Sequence, residues 1–84
     1  MQTLAELGQA VSAKRKALGL KQKELSLRSG ITREFLLRFE RGQVSDIGVR
    51  KLLAVLAVLG LEISFTDVGM AGSLDELRRE RSGA

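Results

Sequence analysis

The side chains with chemical potential in this chain are cationic. Lys21, Lys23, Arg33, Arg38 and Arg41 fall within one short stretch, with Glu24, Glu34 and Glu40 set between them. Guanidinium and ammonium groups recognise anions by charge and by directed hydrogen bonds. Nothing nucleophilic accompanies them. The chain has no Cys and no His, which excludes thiol catalysis, imidazole acid–base chemistry, disulfides and a Cys/His zinc site. A glycine-rich phosphate loop is also missing, and 84 residues leave too little volume for a substrate pocket. An enzyme is therefore not expected, and neither a cofactor nor a metal is called for. The charge is uneven: residues 1–42 hold nine Lys/Arg against four Asp/Glu, or +5, while residues 43–84 hold five against six, or −1. A polyanion facing the N-terminal half fits that asymmetry.

The elements that must position these groups are helices. Thr3-Leu4-Ala5-Glu6 is a capping box, and Leu4, Leu7, Val11 and Leu18 recur at helical steps as a predicted buried stripe, up to a stop at Gly19. A second helix is expected over 22–29, burying Leu25 and Ser26, with Gly30 as the turn. Thr32 suits the N-cap of a third helix that buries Leu36 and Phe39, with Ile31 at its entrance and Gly42 past its end. Val44 and Ile47 should tuck inward from the loop that follows. Residues 49–59 form the most apolar segment, and Leu52, Leu53, Leu56 and Leu59 suit a central fourth helix. Two short helices joined by a tight Gly-containing turn are the layout of a helix-turn-helix, whose second helix enters the DNA major groove.

The stretch from Gln22 to Gly42 resembles the Cro/C1-type repressors, the xenobiotic-response-element (XRE) family. The resemblance is carried by Gln22, Leu25, Ser26 in the place of the family's Ala, Gly30, Ile31, Thr32, Leu36, Phe39, Glu40 and Gly42, all in register without a gap. It implies an all-α, four- to five-helix domain of lambda-repressor type. Carried over residue by residue, it makes Thr32, Arg33, Glu34, Leu37 and Arg38 the base-reading positions. Arg33 can offer two donors to guanine O6 and N7. Glu34 can accept from cytosine N4, or it can pair with Arg33 or Arg38 and merely orient them. Phe35 and Leu37 depart from the small polar residues usual in the family; either can touch a thymine methyl, or Phe35 packs into the protein. Gln22 matches the family's phosphate contact, and Lys21, Lys23, Arg41, Gln43 and Ser45 lie where further phosphate contacts form. Arg15 and Glu40 match an ion pair between the first and third helices, read here as structural.

Leu61-Glu62-Ile63-Ser64-Phe65-Thr66 switches to period two, with Leu61, Ile63 and Phe65 on one face. That pattern predicts a short C-terminal β-strand, paired with the same strand of a second copy because the chain offers no other, or else a coil folded back on the fourth helix. The expected organisation is a DNA-binding domain with its dimerisation strand over 1–67 and a flexible tail over 68–84, in which residues 73–76 could cap one further helical turn. The strand following the helix-turn-helix makes the chain similar to HipB-type antitoxins. That resemblance implies a homodimer that binds a pseudo-palindromic operator in double-stranded DNA, represses its own operon and restrains a HipA-type serine/threonine kinase toxin. A stand-alone XRE-family regulator without a toxin is the alternative. With no apolar run near the roughly 20 residues of a membrane span and no signal-peptide pattern, a cytoplasmic bacterial protein associated with the nucleoid is expected.

Overall fold

The computed structural model describes residues 3–69, which form four helices: α1 (Leu4–Ala17), α2 (Gln22–Ser29), α3 (Arg33–Glu40) and α4 (Val49–Val58). Each of the first three begins with a local device that satisfies an orphan amide. The Thr3 hydroxyl accepts the Glu6 amide at 3.1 Å, the Glu24 carboxylate accepts the Lys21 amide at 3.2 Å, and the Thr32 hydroxyl accepts the Phe35 amide at 3.2 Å. Ahead of α4, Oδ1 of Asp46 accepts the amides of Ile47 and Gly48 in an Asx turn.

α1 packs on α3, and α2 packs on both α3 and α4. The shared core consists of Val11, Leu25, Ile31, Leu36, Phe39, Ile47, Val55, Leu56 and Leu59, with Phe39, Leu25 and Leu36 fully enclosed. Each such side chain stabilises the fold by about 1.5–3 kcal/mol through removal from water. The α2–α3 turn is tight because Gly30 adopts φ 75°, a left-handed conformation that lets the chain reverse within two residues. Ser26 explains its own substitution for the family's alanine: half-buried, it donates its hydroxyl to the Ile31 carbonyl across that turn.

Several expectations need correction. Leu18 is 48% exposed and belongs to no buried stripe; α1 ends at Ala17, the chain turns at Gly19, and Leu20 packs against the core instead. Leu53 is likewise about half exposed, because α4 turns Leu52, Val55, Leu56 and Leu59 inward and leaves Val49 and Leu53 outside. Arg50 and Lys51 mark the outer side of α4, but Val49, Leu53 and Ala57 carry apolar residues past the part that the core covers, so the pattern alone does not set the edge of the buried face. Residues 61–68 are not a strand, and no strand occurs among the described residues. The segment is exposed, with Phe65 at 95% exposure, and no ladder partner for it occurs among the described residues; it runs beside α1 and α4 along an open apolar concavity with Leu7, Leu52 and Leu56 and does not fill the core. The further helical turn expected at 73–76, and the tail beyond residue 69, lie outside the described residues.

α1 and α3 approach closely at one glycine. A Cβ built on Gly8 would fall on the Phe39 carbonyl oxygen and crowd the Glu40 Cα, both of them backbone that cannot swing aside. Helix propensity alone would favour Gly8→Ala by about 1 kcal/mol. Overpacking reverses that sign, and the expected result is a loss of about 1–3 kcal/mol, read as a lower urea midpoint with an unchanged slope. A stabilised Gly8→Ala variant would show that the two helices can separate freely at this point.

Candidate nucleic-acid interface

The exposed side of α3 and the start of α2 assemble most of the predicted contact residues. Thr32, Arg33, Glu34 and Arg38 are exposed and Leu37 is half-buried. The Thr32 hydroxyl caps the helix it precedes, so its acceptor capacity is partly taken. No ion pair joins Glu34 to Arg33 or Arg38 among the described residues, which leaves its carboxylate available to an external donor. Arg38 reaches along the helix and donates from Nη2 to the Gln43 carbonyl at 3.4 Å. Leu36 and Phe39 on the opposite side of α3 are completely buried, which locks the rotation of the helix and so the direction of its exposed side.

Phe35 is half-buried and packed against the core, and the ammonium of Lys51 lies 4.3 Å from its ring centroid. Of the two alternatives left open for this residue, the geometry favours packing within the protein. The cation–π contact brings a charge from the first turn of α4 to the first turn of α3. Neither residue signals the other in the sequence, since their meeting depends on how the helices cross.

The candidate phosphate contacts lie around these elements: Lys21, Lys23, Arg41, Gln43 and Ser45 are all exposed. Gln22 differs. Half-buried at the first position of α2, it donates from Nε2 to Oε1 of Glu40 at 3.2 Å. Glu40 is itself gripped by Arg15 in a two-pronged pair, Nε to Oε2 and Nη2 to Oε1, each 2.8 Å, while Nη1 of Arg15 donates to the Leu20 carbonyl at 2.8 Å. Both charged residues are buried, and no buried side-chain polar atom among the described residues lacks a partner. Spacing alone did not disclose the links to Gln22 and Leu20, because α1, α2 and α3 converge there only on folding.

Burial pushes the Glu40 carboxyl up, but hydrogen bonds from Arg15 and Gln22 and the Arg15 charge outweigh it and hold the group below the ordinary carboxylate value. The same hydrogen bonding to Glu40 raises the Arg15 guanidinium despite the cost of burial. Among the described residues no His/Cys/Asp/Glu cluster could hold a metal ion, and no helix is long and apolar enough to cross a membrane.

The pH dependence follows from the sign of the Glu40 shift. A carboxyl whose folded value lies below its unfolded value of about 4.3 contributes stability above that range and loses it as pH falls through the folded value. Urea unfolding followed from neutral to acid pH should show this decline. Glu40→Gln should flatten it, at a cost near neutrality of about 3–5 kcal/mol because Arg15 is left buried and unpaired. An equally steep acid decline in Glu40→Gln would assign it to other carboxyls.

The helix-turn-helix family profile matches residues 11–65. Among solved structures, a chain of the "SinR protein/SinI protein complex" superposes with a TM-score of 0.63 at 21% identity, over 92% of this chain and 80% of that chain. At that identity the likeness is one of fold. Among curated proteins none matches the sequence.

Proposed function

The chain belongs to the helix-turn-helix family of DNA-binding, XRE-type regulators, and on that footing we propose that it is a dimeric, sequence-specific repressor that acts as a HipB-like antitoxin. The observation that carries the DNA-binding part is the exposed first turns of α3, which present Arg33, Glu34 and Arg38 on a helix locked from behind by Leu36 and Phe39. In this reading Arg33 reads guanine through its two donors, and Glu34, Leu37, Arg38 and Thr32 complete the base-facing set. Gln22, Lys21, Lys23, Arg41, Gln43 and Ser45 hold the flanking phosphates and carry no sequence information themselves.

The dimer rests on residues 61–66. Leu61, Ile63 and Phe65 are exposed beside α1 and α4 in an open apolar concavity that also includes Leu7, Leu52 and Leu56. Exposed apolar side chains at alternate positions favour pairing with the same segment of a second copy about a two-fold axis. Residues 1–67 form the working domain and the remainder a tail. The antitoxin reading adds autorepression of the operon and a HipA-type kinase as the restrained toxin. Its support is the order of elements, a helix-turn-helix followed at once by the segment 61–66; that a chain of this fold occurs in a complex of two different proteins is compatible with a protein partner. Such a protein would work in the bacterial cytoplasm, on the nucleoid. The alternative, favoured by the general helix-turn-helix match, is a stand-alone regulator without a toxin.

Selection from random duplexes should return a two-fold-related motif with half-site centres about 34 Å apart, bound with an affinity that falls steeply with salt. Arg33→Ala should cost about 1–3 kcal/mol at one base step per half-site, whereas Gln22→Ala should weaken all sequences alike. Selected sequences without two-fold symmetry would defeat the proposal of a dimeric reader.

A chain ending at Gly60 should sediment as a monomer or a much weaker dimer and keep only half-site affinity. An undiminished dimer would remove 61–66 from the interface. For the antitoxin role, co-expression of the intact protein should relieve toxicity of a kinase-like reading frame beside its own; unrelieved toxicity, or no such neighbour, would leave the stand-alone regulator.

A further inference from the structure

Glu40 is the last residue of α3, yet its carboxylate reaches the first residue of α2. Oε1 accepts both Nη2 of Arg15 and Nε2 of Gln22, and Oε2 accepts Nε of Arg15. Arg15 adds the bond from Nη1 to the Leu20 carbonyl, on the backbone just ahead of α2. The network therefore grips α2 twice at its start, once by the main chain and once by the side chain, and ties both points to the end of α3.

Two features set this arrangement apart from an ion pair that only fills the core. Gln22 is half-buried while Arg15 and Glu40 are buried, so the amide stands between the pair and the solvent. A primary amide has two N–H donors, and the bond to Glu40 takes one and leaves the other for an outside acceptor. The second feature is charge. A lone carboxylate at this point would repel an approaching phosphate, but the two-pronged guanidinium neutralises it and leaves an acceptor that orients the amide without net charge.

We propose that Glu40 is a positioning residue for the duplex contact: its Arg15-neutralised carboxylate holds the Gln22 amide toward a backbone phosphate and fixes the start of α2 relative to α3. This inference rests on the DNA-binding reading above. It makes one side chain responsible for the register between the phosphate anchor and the base-reading helix. Glu40 touches no DNA in this scheme, so its removal weakens binding through Gln22 and lowers affinity for every sequence together.

The test is a thermodynamic cycle on DNA affinity. The variant Arg15→Met/Glu40→Leu removes both charges at once and strands neither, so it should retain the fold, as helical circular dichroism will show. Its affinity for the operator and for an unrelated duplex should fall by the same factor, about tenfold, the scale of one hydrogen bond to a charged group. Gln22→Ala in the wild-type background should cost about the same, and added to the double variant it should change affinity by less than about twofold. Wild-type affinity in the folded double variant, or an equal cost of Gln22→Ala in both backgrounds, would overturn the proposal.

Should the double variant fail to fold, the wild-type protein gives the answer by amide NMR. One Gln22 side-chain proton should hold its shift when a short duplex is added while its geminal partner moves. Both moving together, or neither moving on the bound protein, counts against the proposal. A wild-type protein that binds no duplex at low salt overturns the DNA-binding reading and this inference with it, whereas a binding protein with an additive cycle overturns this inference alone.

Discussion

The buried fork between Arg15 and Glu40 is the constraint around which the other elements are arranged. A carboxylate and a guanidinium removed from water are tolerated only where geometry and further hydrogen bonds offset the lost hydration. Here the two bonds between them measure 2.8 Å, and the remaining capacity is used by the Leu20 carbonyl and the Gln22 amide. Those partners come from α1, the turn before α2, the first residue of α2 and the end of α3. Any relative slide of these elements would strain this set, and the two bonds between the charged groups lie where water has little access to replace them. The apolar core beside the fork is less directional. Phe39, next to Glu40, supplies more burial, but Phe39 alone would tolerate small rotations that the fork forbids.

That rigidity matters because α3 has two tasks on opposite sides. Its inner side is closed by Leu36 and Phe39, and its outer side must present Arg33, Glu34 and Arg38 at a constant height and angle. Helix-to-groove recognition depends on side chains held within a fraction of an ångström. The hydroxyl of Thr32 sets where α3 begins, Gly8 lets α1 lie directly on its last turn, and the Lys51–Phe35 contact joins its first turn to α4. The helix is thus held at both ends and along its back, and its free side alone remains for an external surface.

The segment after α4 obeys a different logic. Leu61, Ile63 and Phe65 alternate along this segment, and each is exposed. A domain this small buries a modest share of its surface, and uncovered apolar groups are commonly completed by association. The open concavity that these three form with Leu7, Leu52 and Leu56 is a surface that association could bury.

The elements that local chemistry dictates were legible in the sequence. The span of α2, the caps at Thr3 and Thr32, the turn at Gly30 and the inward Leu25, Leu36 and Phe39 follow from periodicity, hydroxyl caps and a glycine at the reversal, all acting within a few residues. Periodicity misled at Leu18 and Leu53, since it reports which positions could face a core and not whether another helix arrives to cover them. The period-two run at 61–66 was legible as a pattern, but a strand exists only through its partner, and none occurs among the described residues. The bonds of Gln22 and Leu20 to the fork, the Lys51–Phe35 contact and the close approach at Gly8 belonged to the tertiary structure alone. Each depends on the distance and angle at which two helices cross, and a crossing is set by the whole core at once, so no short window of sequence contains it.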